Sequence, residues 1–282
     1  MIYEKVDLYR YFGIERGEQA EGYLTAYVPD PLVPEIKAKL RPGMLVIPGG
    51  GYWFRSGREK EPVALAYLRE GYCAFTLDYS VQALFPVPLL EAAMAMIYLR
   101  ENAAKYGLDP AHLAAIGFSA GGHLAGMLSM LYEEPEIVSV LGERAKNARP
   151  DAVVLSYPVI TMGERTHGGT RDVITGRREE LLQRLSLENR VSKKAAPAFL
   201  WHTQEDDCVP VENSLLLAAA YRKAGVPFAM HIFEHGPHGL SLISPETNDQ
   251  TEYDTQLAPV GKWLPLSLDW LKSRGFSVRP RD

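Results

Sequence analysis

At 282 residues the chain suits one large α/β domain, and 46% hydrophobic residues are enough for a substantial core, with no stretch whose composition points to disorder. The formal net charge of −5, with no basic stripe, argues against nucleic acid as a partner, because phosphates need lysine and arginine to displace their counterions. Charges interrupt the N-terminus from Glu4 onward and the longest apolar run, 92–99, is too short to cross a bilayer, so a cytoplasmic protein with no membrane partner is expected.

The predicted elements follow in chain order. Segments 2–8 and 23–28 read as antiparallel edge strands. A short apolar run at 44–47 is stopped by Pro48 and three glycines, and a second run follows at 72–77. Helical spacing over 89–106 ends at Gly107, a residue suited to a helix C-terminus. Residues 112–116 read as a strand and 120–131 as a helix. Further strands are expected at 152–156, 198–202 and 228–233, with a helix over 213–224 closed by Gly225 and a last one over 263–271. Strands separated by helices of this length imply a doubly wound, mostly parallel sheet covered on both faces. Segment 157–196 breaks the rhythm with 40 residues and no clear strand. It reads as a small cap inserted in a single domain spanning 1–282. A second irregular stretch, 244–259, is polar and acidic.

Gly117-Phe118-Ser119-Ala120-Gly121 fits G-x-S-x-G, follows a predicted strand and opens a predicted helix. A serine on so tight a turn takes a strained backbone, its neighbours must be small for the turn to close, and the helix behind it presents free N–H groups to developing negative charge. Ser119 is therefore the candidate nucleophile. Pro48-Gly49-Gly50-Gly51 follows the first parallel strand, and its N–H groups, with that of Ala120, can meet an oxyanion above the serine. A phosphate-binding loop is excluded because no Gly-Lys-Ser/Thr follows.

In a Ser…Asp…His chain order the acid follows a later strand and the base the next one. The loop after 198–202 offers Glu205, Asp206 and Asp207, and the loop after 228–233 offers His235 and His238. The spacing alone does not choose among them. His112, His123, His167, His202 and His231 read as locally hydrogen-bonded or solvent-facing. A metal at His202 and the neighbouring acids is rejected, since no second His or Cys stands at ligand spacing. Cys73 and Cys208 are too few for a disulfide framework and read as buried or half-buried thiols.

Taken together, Pro-Gly-Gly-Gly-Tyr at 48–52, Gly-Phe-Ser-Ala-Gly-Gly-His-Leu-Ala at 117–125, Ser-Tyr-Pro-Val at 156–159, Asp206 with Val209-Pro210 and Asn213-Ser214, and His238-Gly239 resemble the acetyl esterase branch of the α/β-hydrolases. That branch holds small carboxylesterases, acetylxylan esterases and feruloyl-type esterases. The resemblance implies an α/β-hydrolase fold with Asp206 as the acid and His238 as the base. It also implies Gly50, Gly51 and Ala120 as oxyanion donors. The chain departs from related lipases and esterases in beginning the glycine loop with Pro48, where they often have His.

The expected chemistry is two-step acyl transfer from a small-molecule or oligosaccharide ester, with acetylated sugars or xylo-oligosaccharides as substrates and no metal or organic cofactor. Tyr52 and Trp53, directly after the glycines, are the candidate substrate-binding residues. Two alternatives share the fold and the triad order. A prolyl-oligopeptidase-like peptidase usually needs a large extra domain for which this chain has no room, and a non-catalytic receptor typically lacks a triad member.

Overall fold

The computed structural model describes residues 1–18, 20–30, 38–248 and 256–281. Part of the irregular stretch expected at 244–259 lies outside the described residues. The N-terminal strands β1 (Ile2–Asp7) and β2 (Tyr23–Val28) are separated by the single turn of α1 (Leu8–Phe12). Then come β3 (Lys39–Ile47), α2 (Glu61–Arg69), β4 (Cys73–Asp78), α3 (Val87–Glu101), α4 (Ala103–Tyr106), β5 (Leu108–Phe118) and α5 (Ala120–Met130). After α6 (Pro135–Leu141), β6 (Ala152–Ser156) leads into α7 (Gly168–Thr175) and α8 (Glu179–Leu185). The chain closes through β7 (Ala198–Thr203), α9 (Glu212–Ala224), β8 (Phe228–Phe233), α10 (Trp263–Ser273) and the short β9 (Arg279–Pro280).

The sheet order is β1-β2-β4-β3-β5-β6-β7-β8, with β9 pairing to β3. The strands from β4 to β8 run parallel, and β1 and β2 are the antiparallel edge. Alternate residues of the central strands enter two separate cores. Met44, Val46, Ala114, Ile116, Phe118, Phe199 and Trp201 meet α2 and α10 on one face. Leu45, Ile47, Leu113, Ala115, Ala198 and Leu200 meet α3, α5 and α9 on the other. Burial on both faces explains why these strands read as continuous apolar runs rather than alternating ones.

Three strands, β3, β5 and β7, are longer than their apolar cores suggested, and the others keep close to the expected bounds. β5 starts at Leu108, four residues before the predicted 112, because its polar opening pairs with β3 through a register shift between Arg41 and Gly43. The predicted helix over 89–106 divides into α3 and α4 at Asn102, whose side chain donates back to the Tyr98 carbonyl and breaks the continuity. Between β6 and β7 lie α7, α8 and one turn of 3₁₀ helix, with no strand. No helix among the described residues is long and apolar enough to cross a membrane.

Candidate active site

Strand β5 carries the chain into a turn at Ser119, whose φ of 52° and ψ of −119° lie where an L-residue is strained. The turn is clamped from several sides. Ser119 N–H donates to the Ser156 carbonyl at 3.0 Å, and the Ser119 carbonyl accepts from His123 and Val159 N–H at 3.1 Å each. Only a glycine fits at Gly121, because a Cβ there would sit 2.3 Å from the Ile47 carbonyl oxygen and 2.4 Å from that of Pro48. That contact presses the start of α5 against the end of β3, which brings the glycine loop over the serine. Ser119 itself is 7% exposed.

The loops after β7 and β8 supply its partners. His238 Nε2 lies 2.8 Å from Ser119 Oγ, and His238 Nδ1 lies 2.6 Å from Asp206 Oδ2. A carboxylate only accepts, so Nδ1 carries the proton and Nε2 is left to accept from the serine hydroxyl. Asp206 Oδ1 takes the N–H groups of Cys208 at 3.1 Å and Val209 at 2.8 Å. His202, fully buried, donates from Nε2 to the Val209 carbonyl at 2.8 Å and also stands 3.2 Å from Asp206 Oδ2, while its Nδ1 accepts from Ser214. Burial alone would raise the Asp206 carboxyl, but the hydrogen bonds from His202 and His238 outweigh it and hold the group well below the ordinary range.

The neighbouring acids and the second imidazole separate cleanly. Glu205 is exposed, faces His235 Nδ1 at 2.9 Å and accepts from Gly236 N–H at 3.0 Å. Asp207 is exposed. The structure therefore sets Asp206 with His238, and Glu205 with His235, as two distinct pairs.

The glycine loop is held by Tyr79, Arg55 and Glu59, none of which carried a site role in the sequence, and by Tyr157 of the 156–159 motif. Gly50 has φ of 117°, and a Cβ there would meet the Phe54 carbonyl oxygen at 2.2 Å. The N–H groups of Gly50 and Gly51 make no backbone hydrogen bond among the described residues. Tyr79 hydroxyl donates to the Pro48 carbonyl at 2.9 Å, and Arg55 bridges Glu21 to the Tyr79 carbonyl. Below the loop, the buried Glu59 accepts from Gly49 N–H at 2.9 Å through one oxygen and from Tyr157 hydroxyl at 2.7 Å through the other. Tyr157 hydroxyl in turn accepts from Ser241 N–H at 3.0 Å, and its ring stands edge-on to His238 at 5.0 Å. Burial pushes the Glu59 carboxyl up, against the lowering effect of its hydrogen bonds and of His238.

These parts open on one pocket of about 380 Å³ lined by Ser119, His238, Gly50, Gly51, Trp53 and Phe54 among others. Trp53 is 54% exposed and lines the pocket. Tyr52 does not reach the pocket. Its positive φ of 62° turns the ring inward, where it is fully buried and its hydroxyl donates to His123 Nδ1 at 3.0 Å. Cys208 also departs from expectation. It is exposed and lines the pocket, because the Asp206 turn spends its backbone on the carboxylate and leaves the side chain outside. His167, read as an ordinary imidazole, lies in the same pocket. It stands at the N-terminus of α7 with Nδ1 accepting from Thr170 N–H at 3.1 Å. The only sequence sign of it was the Gly168-Gly169 pair beside it, and Glu59 was hidden in a charged run that reads as solvated surface.

A family model described as BD-FAE matches residues 30–221. An acetyl ester-xyloside bifunctional hydrolase from Caldicellulosiruptor lactoaceticus is 36% identical with a TM-score of 0.80, each chain covered to 97%. The carboxylesterase Cest-2923 from Lactobacillus plantarum is 27% identical with a TM-score of 0.83, covering 98% of this chain and 99% of that one. Endo-1,4-beta-xylanase B of Butyrivibrio fibrisolvens is 40% identical over 215 residues, 72% of this chain and 33% of that protein. The acetylxylan esterase of Xylanibacter ruminicola is 28% identical over 230 residues, 77% of this chain and 44% of that protein. The chain thus spans less than half the length of either of these two curated relatives.

Proposed function

Since the chain belongs to the BD-FAE family of α/β-hydrolases, we propose that it is a serine carboxylesterase acting on short-chain esters, acetyl esters first, by an acyl-enzyme mechanism. The observation that carries this reading is the unbroken hydrogen-bond relay from Ser119 through His238 to Asp206 at the floor of an open pocket. Ser119 Oγ attacks the ester carbonyl while His238 Nε2 takes its proton. Asp206 keeps the proton on Nδ1 and stabilises the imidazolium that forms. The N–H groups of Gly50, Gly51 and Ala120 receive the oxyanion, and one such donor is typically worth about 3 kcal/mol of barrier. His238 then returns the proton to the leaving alcohol, and water repeats the sequence to release the acid.

Segment 157–196 acts as a small cap in this reading, since it brings His167 to the pocket wall. The short acyl preference rests on the crowding of the glycine loop, where Phe54 packs back against Gly50 and Trp53 rises beside it. The names of the similar proteins, an acetylxylan esterase and an acetyl ester-xyloside hydrolase, support acetylated sugars or xylo-oligosaccharides as substrates. A p-nitrophenyl ester series from acetate to laurate tests the acyl preference, with kcat/KM expected to peak at acetate or propionate. A peak at octanoate or beyond contradicts the short pocket. Acetate release from acetylated xylo-oligosaccharides tests the alcohol side, and its absence removes the sugar while leaving the esterase.

A further inference from the structure

The pocket also holds the ionisable side chains of Arg58 and the buried Glu59, which lie outside the chemistry above. Arg58 lines it, is exposed, and has no ion-pair or side-chain hydrogen-bond partner among the described residues. Several other arginines of this chain are tied to acids, Arg55 to Glu21, Arg184 to Glu134 and Glu136, and Arg144 to Glu101. Arg58 acts on the buried Glu59 through its charge, but neither Glu59 nor Asp206 forms an ion pair or hydrogen bond with it among the described residues. Glu59 spends its oxygens on Gly49 and Tyr157, and Asp206 spends its own on His238, His202 and two backbone N–H groups.

The backbone beneath Arg58 is fixed on both sides. Its carbonyl accepts from Ser241 hydroxyl at 2.6 Å, and the next residue is the anchored Glu59. The guanidinium lies against the residue that follows the candidate base, with Nη2 3.2 Å from where a Cβ on Gly239 would sit. Across the pocket, His167 uses Nδ1 as an acceptor from Thr170, so its Nε2 carries the proton and is a second donor. The pocket thus holds several donors without a hydrogen-bond partner among the described residues: Arg58, His167 Nε2, and the N–H groups of Gly50 and Gly51.

Position decides which part of the ester meets Arg58. The leaving oxygen must face His238 Nε2 to receive its proton, so the alcohol lies on the His238–Gly239 side, where Arg58 stands. We propose that Arg58 is a specificity residue that recognises a carboxylate on the alcohol portion of the substrate. The preferred ester is then that of an acidic alcohol, whether a hydroxy acid or an acidic sugar. A guanidinium with no ion-pair partner among the described residues keeps its fork free for a bidentate contact. This proposal rests on the esterase reading and narrows its substrate class.

The test compares 4-carboxyphenyl acetate with its neutral counterpart, 4-(methoxycarbonyl)phenyl acetate. In the parent enzyme the ratio of their kcat/KM values should fall as KCl is raised from 20 mM to 1 M, since a solvent-facing ion pair is screened. In Arg58→Gln the ratio should drop by about tenfold through KM, the scale of a charge-assisted contact at a partly exposed site. Arg58→Lys should recover part of the loss. The salt experiment needs no variant, so a misfolded Arg58→Gln does not protect the idea. A ratio within twofold of the parent in Arg58→Gln, or one indifferent to salt, overturns the proposal while leaving the esterase intact. Failure of the parent enzyme to hydrolyse either ester overturns the esterase reading together with it.

Discussion

Asp206 and Asp207 are adjacent acids with opposite surroundings, and the difference predicts their roles. Asp206 is buried, accepts two backbone N–H groups and holds His238 Nδ1 at 2.6 Å, whereas Asp207 is exposed. Asp206→Asn removes the charge that fixes the imidazole tautomer, so kcat on a p-nitrophenyl ester should fall by about 10⁴-fold. Asp207→Asn should change it less than about threefold, as surface changes usually do. The reverse order of damage would mean that the acid has been assigned to the wrong residue. At this scale the sequence was legible where a motif ties a residue type to a backbone requirement, as at Ser119. Tyr52 was not legible, because side-chain direction at a positive-φ turn does not follow from alternation. Glu59, Arg58 and His167 were not legible either. Their meaning comes from contacts with segments about 100 residues or more distant, such as Glu59 with Tyr157 and Arg58 with Ser241.

Among the elements, the junction of β3, β5 and α5 does the positioning. The strands and α5 were readable because buried parallel strands are continuous apolar runs and helix α9 ends at a glycine with a left-handed backbone. The polar first half of β5 was not, since only its pairing with β3 makes it a strand. The tightness of the junction gives a prediction. Gly121→Ala drives a methyl group into two carbonyl oxygens that belong to backbone and cannot turn aside. It should destabilise the fold by roughly 3 kcal/mol or more, read as a lower urea midpoint. Gly57→Ala, with open space around the glycine, should stay within about 0.5 kcal/mol. Equal midpoints for the two variants would show that the close approach of α5 to β3 is not a constraint on the fold.

For the whole molecule, acid stability follows from a histidine far from solvent. His123 lies on α5, fully buried, accepting from Tyr52 at Nδ1 and donating from Nε2 to the Leu185 carbonyl at 2.9 Å. Burial holds it down to about 4, against an ordinary value of 6.5. The unfolded chain binds this proton as pH falls through 6.5, while the folded chain refuses it until about 4. The stability this group contributes is therefore complete above pH 6.5 and is lost progressively between 6.5 and 4, by about 3 kcal/mol in all. Glu59 and Glu91, pushed up by burial, work with the opposite sign, so the informative quantity is a difference between proteins. The loss in urea stability between pH 6.5 and 4.5 should be smaller in His123→Gln than in the parent. Parallel pH slopes would contradict the assignment.

One serine, set on the strained turn between β5 and α5, is the proposed nucleophile. The most direct measurement is mass spectrometry after exposure to a fluorophosphonate, with peptide mapping of the adduct. A single adduct on Ser119 is expected, with no adduct in Ser119→Ala and a Ser119→Ala protein that keeps its urea midpoint while losing ester hydrolysis. An adduct on another serine, or hydrolysis that survives Ser119→Ala, would contradict it.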